Sequence, residues 1–368
     1  MTKARSVQLD SDCEGPLCLN DNAFEVCRRY IPDGDRFFSQ VSRYDDYLAD
    51  IVRKDGYEAG STLKLVAPFL KAFGLTNDEM LSFSRRNIGM VRGAEKLFRE
   101  AQSAGIEAFV VSTSYQQFAH AVAEGLRIPL DHVYCTPFDL DASPLPADEE
   151  EELRALARRT VSLPALELPD TPDEPLSGGA LETIAFMNGL FWERLPRMKA
   201  QRLIDSVQLV GAEGKAAAIQ DSLERTGNRL EDVVYVGDSI TDVKAFDLVR
   251  GGGGLTVAFN GNRYAIDAAE IACAADDAIA TSIVVDVFAR GGKDAVLELA
   301  ENWPVEQEAQ ARLLERTGVS SAVVARLRSL STRGIGIYRI TDKSKERARE
   351  RSMEMRVLLR GEHIGALG

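Results

Sequence analysis

Long apolar runs are missing from this chain. No segment is long and apolar enough to span a bilayer, and Met1 to Ser6 lead into a strand-like stretch without the apolar core of a signal peptide. Both absences point to a cytoplasmic protein with no membrane partner. Histidine is scarce, and His120 and His132 stand apart from any second histidine or cysteine pair, which favours structural roles for both. The cysteines Cys13, Cys18, Cys27, Cys135 and Cys273 show no paired metal-ligand spacing, and one is left over in any disulfide scheme. Reduced thiols are the expectation. An excess of positive charge is also missing: 57 acidic against 44 basic residues give a formal charge of −13. That balance disfavours nucleic acid as a partner for the molecule as a whole. No internal repeat is visible.

What is present is enough apolar material, 45% of 368 residues, for two or three domains or one core with large insertions. The organising stretch is Val233-Val234-Tyr235-Val236-Gly237-Asp238-Ser239-Ile240-Thr241-Asp242. An apolar run ending in Gly and a carboxylate reads as a buried strand delivering acids to its C-terminal end, where open α/β sheets keep their sites. Asp238 and Asp242 would repel each other unless a hard cation such as Mg²⁺ sat between them. The plainer alternative is a polar loop in which Asp238 or Ser239 caps the next helix.

Other strand ends carry polar residues too. Val7-Gln8-Leu9 ends in Asp10-Ser11-Asp12, two carboxylates able to divide nucleophilic and proton-transfer work, or else an acidic turn before Gly15-Pro16. Ile106 to Val111 ends in Ser112-Thr113-Ser114, hydroxyls placed for a phosphate or for capping the helix that follows. Lys215, in the first turn of a helix, opposes the helix dipole and so suggests a nearby anion. Gly214-Lys215 is no P-loop, because Ala216 stands where a metal-binding hydroxyl is required. Asn260, after the strand Thr256 to Asn260, is a further candidate for lining the site. Residues 37–86 read as helical and carry aromatics with Arg28, Arg29, Arg36, Arg43, Arg85 and Arg86 nearby, a mixture suited to plain core or to covering an anionic ligand. Residues 137–179 are Pro-rich and acidic, and the chain beyond 276 reads as helical to its end.

The clusters Asp10/Asp12, Ser112, Lys215 and Asp238/Asp242, in that order, resemble the signature of the haloacid dehalogenase-like (HAD) hydrolase superfamily, most of whose members are phosphatases. The resemblance implies a Rossmann-like parallel α/β core over 1–16 and 90–290, interrupted by an insertion at about 137–208. It also implies a helical type 1 cap at 17–89, with a helical extension at 291–368. It further implies an Mg²⁺-dependent phosphatase of a small phosphorylated metabolite, working through an aspartyl-phosphate. Asp10 would be the nucleophile, Asp12 the acid/base, and Ser112, Thr113, Lys215 and Asn260 the phosphate contacts. The metal would sit among Asp10, Asp12, Asp238 and Asp242. One departure is visible, since the superfamily places Gly directly after its second aspartate and here Cys13-Glu14 intervene before Gly15. Asp12-Cys13-Glu14-Gly15-Pro16 with Asp21-Asn22-Ala23-Phe24-Glu25 is similar to proteins labelled energy-converting hydrogenase A subunit R. That label and the basic stretch 343–360 leave two alternatives: an accessory subunit without turnover, or a phosphotransferase. The C-terminal helices would suit a homo-oligomer contact.

Overall fold

Short, largely buried runs bounded by glycine or polar residues build the sheet, β-branched at its centre in β4. The computed structural model describes residues 6–169 and 175–365. Parts of the N-terminus, the Pro-rich stretch and the C-terminal extension (residues 1–5, 170–174 and 366–368) lie outside the described residues. The strands are β1 (Gln8–Ser11), β2 (Glu107–Tyr115), β3 (Val133–Thr136), β4 (Val233–Gly237), β5 (Leu255–Phe259), β6 (Ile271–Ala274) and β7 (Gly336–Arg339). They form one sheet in the order β3-β2-β1-β4-β5-β6-β7, parallel throughout except for β7. Chain order runs outward to one side from β1 and to the other from β4. The switch between β1 and β4 leaves a crevice beyond their C-terminal ends, where side chains from both can meet.

Alternation along the strands splits the core into two layers. Leu9, Val110, Val234 and Val236 face one way, into a cluster that includes Ile283 and Phe288 of the helix Ile279–Glu301. Val111, Val233 and Tyr235 face the other way, toward Ile219 of the helix Ala212–Thr226 and Phe246 of the helix Val243–Gly251.

The insertion helices Ala147–Ser162 and Gly178–Asn188 pack away from the sheet core. Their Leu153, Leu156 and Ile184 join Phe37, Tyr44, Phe69 and Phe191 in a single apolar cluster with the helices Gly34–Asp46 and Thr62–Ala72. The extension is not wholly helical, because β7 pairs antiparallel with β6 and buries Ile337. Four residues with one buried position are too short to show a period against their helical surroundings. No helix among the described residues is long and apolar enough to cross a membrane.

Phe191 sits between Tyr44 and Phe69, at ring-centroid distances of 5.8 and 6.4 Å. Phe191→Ala should lower unfolding stability by about 3–5 kcal/mol, read by urea denaturation, because it hollows the cluster shared by the insertion and the helices it covers.

Candidate active site

Strand β1 decides which acids reach the crevice. Asp10 pairs in register with Tyr235 and Ser11 with Val236, so the ladder covers both, and Asp12 is the first residue beyond it, its N–H donating to the Val236 carbonyl at 2.8 Å. The period of two puts Gln8, Asp10 and Asp12 on one face, against the helix Ala212–Thr226. Lys215 and Ser222 are two turns apart on that helix and meet different members of the row. Lys215 Nζ reaches Asp12 Oδ2 at 2.8 Å, whereas Ser222 lies lower and accepts from Gln8 Nε2 at 2.8 Å. The same Gln8 amide donates to both Asp10 oxygens at 3.0 Å.

Asp10, expected as nucleophile and metal ligand, is therefore turned into the layer beneath the crevice and does not join the other acids. The strand extends two residues further than the apolar pattern suggested, which moves each acid one step deeper. Gly15 has φ +102°, and a Cβ there would lie 2.3 Å from Asp238 Oδ2, so only glycine lets the two loops approach.

Asp242 is the fixed point of the second loop. Its Oδ1 accepts from Lys215 Nζ and from the Tyr235 hydroxyl, both at 2.7 Å, and its Oδ2 accepts from the Asp238 and Ser239 N–H groups at 2.8 and 2.9 Å. Burial alone would lower the Lys215 pKa, but Asp12 and Asp242 outweigh it and hold the ammonium above its ordinary value. Asp12 is raised chiefly by burial, opposed by Lys215 and reinforced by Asp242 and Asp238. Glu14, also buried, is raised well above the usual range by desolvation and the neighbouring Asp21. Its Oε1 accepts the Asn22 N–H at 2.6 Å.

Asp12, Glu14, Asp21, Asn22, Asp238 and Ser239 border a cleft of about 130 Å³. Thr113, Ser114, Ser42, Asp45, Asp46 and Gly60 line it too. The Thr113 hydroxyl is buried with no hydrogen-bond partner, and the Ser114 hydroxyl lies beside the Glu14 carboxyl. Ser112, the expected phosphate contact, instead spends its Oγ accepting the Ser114 N–H at 3.1 Å, because β2 stays extended to Tyr115 through an irregular register. Asn260 is displaced as well. Its amide bridges the Ala275 carbonyl and N–H at 2.8 and 2.9 Å, tying the ends of β5 and β6 outside the cleft. None of the six candidate arginines near the helical layer borders the cleft; the cations there are Arg356 and Arg360, from the helix Lys345–Gly365. Only their i, i+4 spacing hinted that they share a face.

The oxygens of Asp12, Asp238 and Asp242 lie within 4.8 Å of one another, a hard-cation donor set in composition. Their occupancy is another matter. Both Asp242 oxygens are used, Asp12 Oδ2 holds Lys215 and its Oδ1 accepts the Cys13 N–H at 2.7 Å. Asp238 Oδ2 is covered by the guanidiniums of Arg356 and Arg360. In this arrangement the residues do not fit a divalent ion.

The gene product AF1437 from Archaeoglobus fulgidus superposes on the chain with a TM-score of 0.78 at 29% identity, covering 99% of both chains. The fold is thus shared from end to end. Two looser overlaps, each at a TM-score of 0.44, are a HAD family hydrolase from Salmonella enterica serovar Typhi and a phosphoserine phosphatase with a phospho-aspartyl intermediate analogue. They are 10% and 16% identical, covering 72% and 73% of this chain and 66% and 93% of theirs. No family model matches the sequence, and no curated protein is similar to it.

Burial raises the Asp10 carboxyl from 3.8 to about 7, with Gln8 and Ser222 opposing. A carboxyl that binds its proton more tightly when folded adds stability that is complete below the unfolded value and lost as pH rises through about 7. Asp10→Asn keeps the shape without the charge. It should therefore gain stability over the natural chain between about pH 5 and pH 8, checked by urea denaturation at both.

Proposed function

We propose that the chain is a HAD-type phosphatase acting on a small phosphomonoester, with Asp12 rather than Asp10 as its nucleophile. The supporting observation is one cleft holding a carboxylate bound to a buried lysine, the Thr113 and Ser114 hydroxyls and a second, protonatable carboxyl. In this reading the Thr113 and Ser114 hydroxyls donate to the phosphoryl oxygens, and Lys215 steadies Asp12 while adding positive potential where charge accumulates. An Asp12 oxygen attacks phosphorus, the ester P–O bond breaks, and Glu14 gives its proton to the leaving alkoxide. Water then attacks the aspartyl-phosphate while Glu14 takes back a proton, releasing inorganic phosphate and restoring Asp12. Burial suits Glu14 to this work, since desolvation raises its pKa and favours the protonated form.

Mg²⁺ is expected of this superfamily, but the Asp12 and Asp238 carboxylates are engaged here by Lys215, Arg356, Arg360 and a backbone N–H group. No step above is drawn through it. The residues facing the phosphate site from the helical layer, Ser42, Asp45 and Asp46, would read the rest of the substrate, with the layer serving as a cap.

Asp12→Asn should lower turnover of p-nitrophenyl phosphate by a factor on the order of 10³ or more, whereas Asp10→Asn should retain turnover within about twofold. Loss in both variants, or in Asp10→Asn alone, would return the nucleophile to position 10. Glu14→Gln should slow esters with poor leaving groups by about 10²–10⁴-fold and activated aryl esters much less. Comparing alkyl and aryl phosphates checks that split.

A further inference from the structure

Asp46, the last residue of the helix Gly34–Asp46, borders the cleft with a side chain only 9% exposed. Among the described residues no hydrogen bond reaches its carboxylate, and its ion pair is a loose contact of 3.6 Å with the more exposed Arg43. Its neighbour Asp45 is differently placed. There Oδ2 accepts from the Thr62 N–H and hydroxyl at 3.0 and 2.8 Å, and the Tyr57 hydroxyl bonds the same carboxylate. Burial, reinforced by Asp45 and opposed by Arg43, raises the Asp46 carboxyl from 3.8 to about 7. A buried carboxylate left in this condition is costly until a ligand completes it.

A second acceptor bordering the same cleft is also spare. Asn22 is 1% exposed, and its N–H donates to Glu14 Oε1 at 2.6 Å and its Nδ2 to Ser84 Oγ at 3.3 Å, while its Oδ1 is buried with no partner. Both leftover groups are acceptors, so what completes them is a donor. Charge decides which donor. Asp45 and Asp50 both push the Asp46 carboxyl up, and only a positive group relieves that repulsion. An anion has no counterpart here, since the guanidiniums that border the cleft are bound to Asp238. Phe38 and Leu63 supply apolar lining for a short carbon chain.

We infer that the cleft takes a phosphomonoester whose other end is an ammonium on a short chain without a carboxylate, Asp46 pairing with the ammonium and Asn22 Oδ1 accepting another of its protons. The phosphoester half of this statement rests on the phosphatase reading, and the ammonium half on Asp46 and Asn22 alone. An ammonium carries three donors, so one group satisfies both the carboxylate and the amide oxygen. The small volume of the cleft, about 130 Å³, keeps the chain short. Asp46 selects the substrate and takes no part in breaking the ester bond.

The test uses the full-length natural chain and phosphonates, whose C–P bond a phosphatase does not hydrolyse. Calorimetric titration should show aminopropylphosphonate binding about tenfold or more tighter than butylphosphonate, which puts a methyl where the ammonium stands. Phosphonobutyrate, with a carboxylate at that end, should bind weakest. In Asp46→Asn, which keeps the shape and removes the charge, the amine and methyl compounds should bind within about twofold of each other. Equal affinities for those two in the natural chain would overturn the proposal, as would tighter binding of phosphonobutyrate or binding of none of the three. So would a preference for the amine that survives in Asp46→Asn. The comparison within the natural chain stands whether or not the variant folds. Turnover of p-nitrophenyl phosphate tests the phosphatase reading separately. Turnover without preference for the amine would sink the inference alone, and preference without turnover would sink the phosphatase alone.

Discussion

The ion pair on which the site depends is Lys215 between Asp12 and Asp242. An ammonium with no exposed surface is tolerable only because two carboxylates lie within 2.8 Å of it. Each of those carboxylates in turn organises a loop. Asp242 gathers the Tyr235 hydroxyl and two N–H groups, folding the turn after β4 back on itself, and Asp12 accepts the N–H of the residue that follows it. The ends of β1 and β4 and the first turn of the lysine helix are thus held by one charge. Removing that charge alone would leave buried carboxylates uncompensated, a loss in the range of about 3–5 kcal/mol.

Around this centre the cleft is acidic, and its remaining neutralisation comes from the far end of the chain. Arg356 and Arg360 are more than a hundred residues from Asp238 in sequence, yet bury their guanidiniums against it. The antiparallel strand β7 explains how they arrive. It fixes the chain at the sheet edge just before the helix begins, so the arginines are delivered from a short tether.

Much of this was readable beforehand, for physical reasons that also mark where reading stops. The run Val233 to Val236 is a buried strand, and Lys215 has its anions, because burial and helix-dipole arguments act locally. Asp10 shows the limit. A period of two assigns Asp10 and Asp12 to the same face but does not say which lies beyond the last rung of the ladder, since that depends on pairing with a strand more than two hundred residues away. Ser112 and Asn260 fail in a related way. Both are polar residues at strand ends whose hydrogen bonds are consumed by neighbouring backbone, a competition that spacing does not reveal. Arg356 and Arg360 were visible only as part of a basic stretch, because nothing local distinguishes a solvated arginine from one meeting a distant carboxylate.

Glu58, in the loop before the helix Thr62–Ala72, accepts hydrogen bonds from the Glu213 and Gly214 N–H groups at 2.9 and 3.1 Å. It caps the helix that bears Lys215 from outside that helix's own segment. Asp45 holds the same loop in place through the N–H groups of Gly60 and Thr62. Any motion that lifts this loop strips the lysine helix of an N-terminal acceptor, so the loop and the seat of the central ammonium are mechanically tied.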